Sequence, residues 1–202
     1  MLLSNKVTLI RIFLSPLFFI IYVLPSFLSR VLPNSPLAGR AGWTVPVLWI
    51  LFIGAAITDM LDGMIARKRN EESDFGRLFD PIADTLMQIT CFLCYVIDGI
   101  FPALLYLLVL YREFGILFIR NLMMKKGIAM GARMGGKLKT VAYILAGGVA
   151  LVAVSMRRLG FLDFLYPQVT TGALVIFIIA VILAVISFFD YVSVYRNTGT
   201  GQ

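Results

Sequence analysis

The sequence predicts an all-α integral membrane protein of six transmembrane helices with both termini on the cytoplasmic side. Three observations lead there. Hydrophobic residues make up 60% of the 202-residue chain and charged residues only 14%, with a mean hydropathy of +0.92. A water-facing domain carries about 25% charged residues, so this chain has too few to cover a solvated surface. Six largely apolar stretches each approach the roughly 20 residues that a helix needs to cross a bilayer. Lys and Arg, finally, crowd the loops on one side of those stretches.

Taken in order, the first stretch is 7–28. Its apolar run is long and no small-x-small cleavage site follows it, so it reads as a retained helix and not as a removed signal peptide. The second and third, 43–65 and 78–97, are joined by a short charged loop, and the fourth is 101–123. The fifth and sixth are 138–156 and 169–195. Pro25, Pro33, Pro36, Gly99, Pro102, Gly127, Gly160 and Pro167 punctuate the series. Six spans place both termini and the loops after the second and fourth on one side. That side holds Lys6, Arg67, Lys68, Arg69, Arg77, Arg120, Lys125, Lys126, Arg133, Lys137, Lys139 and Arg196, which is 12 of the 18 basic residues. Arg30, Arg40, Arg157 and Arg158 fall opposite, and Arg11 and Arg112 lie inside spans near the basic side. An excess of Lys and Arg marks the cytoplasmic face. The net charge of +7 therefore belongs to a basic face suited to anionic headgroups or phosphates. No basic stripe interleaved with aromatics is present, which argues against a nucleic-acid partner.

Composition also removes whole classes of chemistry. The chain has no histidine, which excludes Ser-His-Asp triads, Cys-His pairs and His-ligated metals. Its two cysteines, Cys91 and Cys94, are too few for a disulfide framework or a thiolate cage, and their CxxC spacing falls on an apolar helix with no redox βαβ context. Gly131-x-x-x-x-Gly136-Lys137 approaches a P-loop, but Leu138 replaces the hydroxyl residue and no strand precedes it. Phe18, Phe19, Phe188, Phe189 and Tyr191 read as lipid-facing or packing aromatics, and Gly147-Gly148 as a place where helices approach closely.

The acidic residues are more informative. Asp59, Asp62, Asp80 and Asp84 fall within or at the ends of the second and third spans, and ionisable residues inside a membrane by default suggest function. Asp59, Asp62, Gly63 and Ala66 recur at i, i+3, i+4 and i+7, one helix face, with Arg67 beside it. Gly76, Asp80 and Asp84 recur at i, i+4 and i+8, again one face. Two neighbouring helices could thus aim four carboxylates at one point. Carboxylates that close repel unless cations are present, and with no His or thiolate cage the matching ions are hard ones, Mg²⁺ or Mn²⁺. The competing reading pairs these acids with Arg67, Arg69 and Arg77 and uses Gly63, Ala66 and Gly76 for close packing. A cation-coupled transporter is the rival class, although no inverted repeat is visible.

Asp59-x-x-Asp62-Gly63-x-x-Ala66-Arg67, eight further residues, Gly76, Asp80 and Asp84 resemble the signature of the CDP-alcohol phosphotransferases at all eight fixed positions. The resemblance implies that family's six-helix bundle and, for residues 1–202, one membrane-embedded catalytic domain. It implies a pair of divalent ions, one held by Asp59, Asp62 and Asp80 and the other by Asp59, Asp80 and Asp84. It also implies Asp84 as general base, and Asp62, Gly63, Ala66, Arg67 and Gly76 around the cytidine diphosphate. Asn5, Thr8 and Arg11 are similar to the family's N-terminal N-x-x-T-x-x-R element near the nucleotide. Displacing CMP from a CDP-activated donor develops charge on phosphoryl oxygens that paired cations can stabilise, and without histidine a carboxylate is the natural base for the acceptor hydroxyl. No side chain demands a covalent intermediate, so a single displacement is expected.

The acceptor is read from other elements. Arg112-Glu113 and Gly136-Lys137-Leu138-Lys139-Thr140 resemble the R-E and G-K-x-K-T elements of the bacterial phosphatidylglycerophosphate synthases, and Asp80-Pro81-x-Ala83-Asp84 resembles their D-P-x-A-D segment. That likeness implies CDP-diacylglycerol as donor and glycerol 3-phosphate as acceptor. Arg112, Lys137 and Lys139 would then receive the acceptor's phosphate, with Arg120 and Arg133 as helpers. It further implies a bacterial inner membrane, surrounding membrane lipids, a site facing the cytoplasm and a homodimer. Lys137 and Lys139 could instead be an ordinary basic cluster under the positive-inside rule. Arg112 could pair with Glu113 or another buried acid, although adjacent residues on a helix do not face each other well. Thr85 follows Asp84 where those synthases usually carry Lys, and relatives using inositol phosphate, serine, choline or phosphatidylglycerol, or CDP-choline as donor, share the same aspartates.

Overall fold

The computed structural model describes residues 3–32, 41–69, 74–125 and 134–199, with side chains over 9–32, 41–58, 81–124 and 138–196. Six long helices account for nearly all of it, and no strand occurs among the described residues. They are α1 (Leu3–Val31), α2 (Thr44–Arg69), α3 (Asp74–Ile97), α4 (Ala103–Lys125), α5 (Met134–Leu159) and α6 (Tyr166–Gly199). Each expected apolar stretch corresponds to one helix, although Trp43 falls in a short 3-10 turn before α2 and Phe101-Pro102 precede α4, and each helix runs beyond its stretch at one or both ends.

Two breaks follow the glycines. Gly99 and Gly160 have positive φ, 75° and 65°, the left-handed conformation that closes a helix without a Cβ penalty. In both, a backbone N–H just past the helix reaches back across the last turn: Ile100 to the Tyr95 carbonyl and Gly160 to that of Met156, each at 2.9 Å. Pro25 does not break its helix. It lies inside α1 with Pro16, as Pro81 lies inside α3. A proline removes one intrahelical bond, which packed membrane helices tolerate because neighbours restrain the chain.

Cross-helix pairs give the helix directions. Arg11, Ser15 and Tyr22 of α1 meet Asp84, Thr90 and Asp98 of α3 in the same order, so these two run parallel. Thr44 and Trp49 of α2 meet Arg158 and Ser155 of α5 in reverse order, so those run antiparallel. Arg112 and Gly115 of α4 pair with Ser187 and Phe188 of α6, in parallel. One end of the bundle therefore collects the starts of α1, α3 and α5 and the ends of α2, α4 and α6.

The centre is aromatic. Phe92 packs edge-on against Phe101, Tyr143 and Phe177, and Phe101 stacks on Phe177 with centroids 4.0 Å apart. Cys91 and Cys94 are buried thiols beside it. Close approach is paid for with glycine: a Cβ on Gly147 would meet the Phe52 ring of α2 at 3.1 Å, and one on Gly115 would meet Phe188 at 2.8 Å. Phe18 and Tyr191 pack inside, whereas Phe189 belongs to the exposed apolar exterior. Among the described residues, four stretches are long and apolar enough to cross a membrane, namely Leu9–Val31, Ala41–Thr58, Leu138–Leu159 and Asp163–Arg196. The apolar part of α3, Pro81–Ile97, is shorter, and α4 carries Arg112, Glu113 and Arg120.

The end away from the basic cluster is clamped by Arg158. Its guanidinium donates to Thr44 Oγ1 at 2.6 Å and the Tyr22 carbonyl at 2.8 Å, and lies 4.3 Å from the Tyr22 ring centroid. The Tyr22 hydroxyl donates in turn to Asp98 at 2.6 Å. One residue thus ties α5 to α1 and α2, and through Tyr22 to the end of α3. Replacing Arg158 with Ala should lower stability in detergent by about 2–3 kcal/mol, the loss expected for hydrogen bonds to a charged group. Arg157→Ala, an exposed neighbour, should stay within about 0.5 kcal/mol. Thermal or denaturant unfolding of the two variants checks the difference.

Candidate active site

At the other end, α1 presents Arg11 to α3. The Arg11 side chain is 2% exposed, and its Nη1 donates to Asp84 Oδ1. A buried guanidinium in an apolar bundle needs such a counter-charge. One turn deeper, Ser15 Oγ lies 2.7 Å from Thr90 Oγ1 and donates to the Leu86 carbonyl at 3.3 Å, locking α1 onto the same stretch of α3. Asp84 is not sealed in: 38% of its side chain is exposed.

Asp84 borders a cleft, open on one side, between α1, α2, α3 and α5. Arg11, Asp84 and Thr140 line it at the level of the helix starts. Further along the same helices its walls become Met87, Cys91, Phe92, Tyr143 and Ile144, and α2 contributes Phe52, Ala55 and Ala56. The chamber thus passes from a charged mouth into an apolar interior, a shape matched to an amphiphile with a polar head.

A second charged group lies behind Tyr143. Glu113 of α4 is buried and accepts two hydrogen bonds from Arg112 Nη1, both at 3.0 Å. Lys139 Nζ of α5 donates to the same carboxylate at 2.8 and 3.1 Å. Arg112 is held from α6 as well, donating from Nε to the Ala184 carbonyl at 3.0 Å and from Nη2 to Ser187 Oγ at 3.1 Å. Lys139 Nζ also lies 4.9 Å from the centroid of the Tyr143 ring, whose residue lines the chamber. One carboxylate therefore joins three helices, and with its two cations it carries a net charge of +1.

This changes one expectation. Arg112, read from the sequence as a receiver of phosphate, has all three guanidinium nitrogens bonded inside the bundle. The Arg112–Glu113 pair forms despite their adjacency because Arg112 is long and no solvent competes for Glu113. Lys139 touches the same carboxylate but sits one turn from Tyr143 and beside Thr140, both chamber-lining residues. Arg120 stands near the ring of Tyr191, at 5.9 Å. The remaining residues read from the sequence have no described side chains. By backbone, Asn5 and Thr8 lie on α1, Asp59, Asp62, Gly63, Ala66 and Arg67 on α2, Gly76 and Asp80 on α3, and Lys137 on α5. Arg133 lies outside the described residues, as does the stretch before it. Among the described residues no three acidic or thiol side chains converge as a metal cage. The sequence named Glu113 only within the R-E element and as a possible mate for Arg112, and gave Ser187 and the Ala184 carbonyl no role, because isolated small polar residues on an apolar helix carry no pattern.

Removing one member of a buried ion group leaves the others uncompensated, at a cost of about 3–5 kcal/mol. Arg112→Leu should therefore destabilise the protein by that order, measured as a drop in its unfolding midpoint in detergent.

Comparison with known proteins places the chain. The CDP-alcohol phosphatidyltransferase family model matches residues 1–188. The CDP-diacylglycerol–glycerol-3-phosphate 3-phosphatidyltransferase of Treponema pallidum is 36% identical over 199 residues, covering 96% of this chain and 89% of that one. The Bacillus subtilis protein of the same name is 36% identical over 156 residues, 74% of this chain and 76% of its own. A Mycobacterium tuberculosis protein named as a probable phosphatidylglycerophosphate synthase is 29% identical over 191 residues, 95% of this chain and 80% of its own. With the signature on α2 and α3 and a match over nearly its whole length, the chain belongs to the CDP-alcohol phosphatidyltransferase family and is a phosphatidyltransferase enzyme.

Proposed function

We propose that the protein transfers the phosphatidyl group of CDP-diacylglycerol to glycerol 3-phosphate, giving phosphatidylglycerophosphate and CMP, with residues 1–202 acting as one catalytic membrane domain. The observation that carries this reading is the Arg11–Asp84 pair at the mouth of the chamber, on the helix that continues the family signature. The names of the relatives supply the donor and the acceptor. In the same reading all six helices cross a bacterial inner membrane, both termini and the basic end face the cytoplasm, and the protein self-associates as a homodimer. The Lys and Arg excess of the even-numbered loops supports that orientation.

The donor set suits hard divalent cations. Asp84 already engages a cationic group and keeps part of its carboxylate open to the chamber, and Asp59, Asp62 and Asp80 lie on the same two helices. In this reading the four aspartates hold two Mg²⁺ or Mn²⁺ ions. When bound, such ions supply charge neutralisation for the diphosphate and its leaving group. Asp62, Gly63, Ala66, Arg67 and Gly76, with Asn5 and Thr8, surround the cytidine diphosphate, and the small residues admit the ligand close to the backbone.

Asp84 acts as general base. The acceptor hydroxyl oxygen attacks the phosphorus that bears the diacylglycerol, and the bond from that phosphorus to CMP breaks. The hydroxyl proton passes to the Asp84 carboxylate, and CMP leaves with the bonding electron pair. Arg11, tied to Asp84, orients the carboxylate. The apolar part of the chamber takes lipid and excludes water from the exchange. Lys137 and Lys139 receive the phosphate of the acceptor, and Arg112, fixed to α6, holds the group behind them.

CMP release by purified protein with CDP-diacylglycerol and Mg²⁺ should depend on glycerol 3-phosphate and not on inositol phosphate, serine, choline or phosphatidylglycerol. Release with one of those instead would keep the chemistry and replace the acceptor. Asp84→Asn should lower turnover by about 10²–10⁴-fold, the usual contribution of a general base, while CDP-diacylglycerol still binds. Near-normal turnover in that variant would remove Asp84 from the role.

A further inference from the structure

The two charged groups at the basic end differ in access. Asp84 opens onto the chamber, whereas Glu113 is sealed between α4, α5 and α6. Glu113 cannot meet a substrate, yet it takes two hydrogen bonds from Arg112 and two from Lys139. Its partners are not equivalent. Arg112 is anchored by Ala184 and Ser187 of α6 and has a planar, rigid head. Lys139 is a point charge on a four-carbon stem, and its described polar contacts are those to Glu113. An ammonium has three N–H donors, and the Lys139 Nζ that contacts both Glu113 oxygens also lies 4.9 Å from the centroid of Tyr143, a ring that lines the chamber.

We infer that Glu113 is a positioning residue for the acceptor: braced by Arg112 and Ser187, it holds the Lys139 ammonium beside Tyr143, at the edge of the chamber, ready for an anionic group. This rests on the reading of Lys139 as a contact for the acceptor's phosphate. Two features of the site make the positioning necessary. Arg112 and Lys139 share one carboxylate, so without it two like charges would repel and the flexible one would swing away. The group also keeps a net positive charge with Glu113 in place, so it aligns the lysine without cancelling its attraction for an anion. Asp84 lies on α3 and pairs with Arg11 of α1, so acceptor binding and proton removal are served by separate carboxylates.

The test uses the full-length protein in detergent, with CMP release followed against glycerol 3-phosphate and against CDP-diacylglycerol. Lys139→Gln and Glu113→Gln should each raise the acceptor KM by about tenfold to a hundredfold, the range for hydrogen bonds to a charged group. The donor KM should change by less than about threefold, because neither Lys139 nor Glu113 is assigned a contact with the donor. In the Lys139→Gln background, Glu113→Gln should add nothing further to the acceptor KM, since Glu113 acts through that lysine. Glu113→Asp should recover part of the loss. Ser187→Ala removes only the brace and should shift the acceptor KM in the same direction by about twofold to tenfold, which serves if Glu113→Gln does not fold. An additive double variant, equal changes in both KM values, or an unshifted acceptor KM in Ser187→Ala and Glu113→Asp would overturn the positioning role. If Lys139→Gln leaves the acceptor KM unchanged, the reading of Lys139 fails first. If it raises that KM while Glu113→Gln does not, only the positioning role fails.

Discussion

Inside an apolar bundle, a charged side chain persists only where another charge or a set of hydrogen bonds compensates it, because desolvation of an isolated ion costs several kcal/mol. The arrangement around Glu113 follows from that constraint. Arg112, Glu113 and Lys139 are all buried, and each is stable there only because the others are present. Their mutual bonds fix the register of α4 against α5, and those of Arg112 to Ala184 and Ser187 fix α4 against α6. Gly115, one turn from this group, lets Phe188 of α6 come close enough for the contacts to form. Charge and close packing therefore specify the same helix placement.

The opposite end is held by a different device with a similar logic. Arg158 reaches α1 and α2 together, and Tyr22 extends the connection to Asp98 at the end of α3. Between the two ends lies the aromatic layer of Phe92, Phe101, Tyr143 and Phe177, which is buried and closely packed. The chamber opens only between α1, α2, α3 and α5, above that layer, where Ala55 and Ala56 leave room beside Phe52. A bundle clamped far from its mouth and filled in its middle can leave its charged end open without losing its shape.

Of the proposed site, Arg11 and Asp84 were named from the sequence and meet at the mouth of the chamber. Four aspartates at helical intervals with small residues on the same face indicate oxygen-ligand chemistry, and the complete absence of histidine removes the alternatives. The six apolar stretches located the helices because bilayer-length apolar runs are the strongest signal a membrane sequence carries. Pro25 was less informative, since a proline ends a helix only where its neighbours fail to restrain the chain. The charged pair on the fourth helix was visible too, but its partners were not.

The sequence by itself determined the class of protein, the number and order of its helices, and the residue types available for chemistry. Those properties depend on local spacing and composition, which a linear chain displays in full. Only the tertiary structure decided what each charge faces. Arg11 is 73 residues from Asp84, and Arg112 is 75 from Ser187, and no local pattern links such pairs. Whether Arg112 and Lys139 meet a substrate or Glu113 depends on how three helices pack, because the energy of a buried charge is set by its neighbours in space and not by its neighbours in the chain.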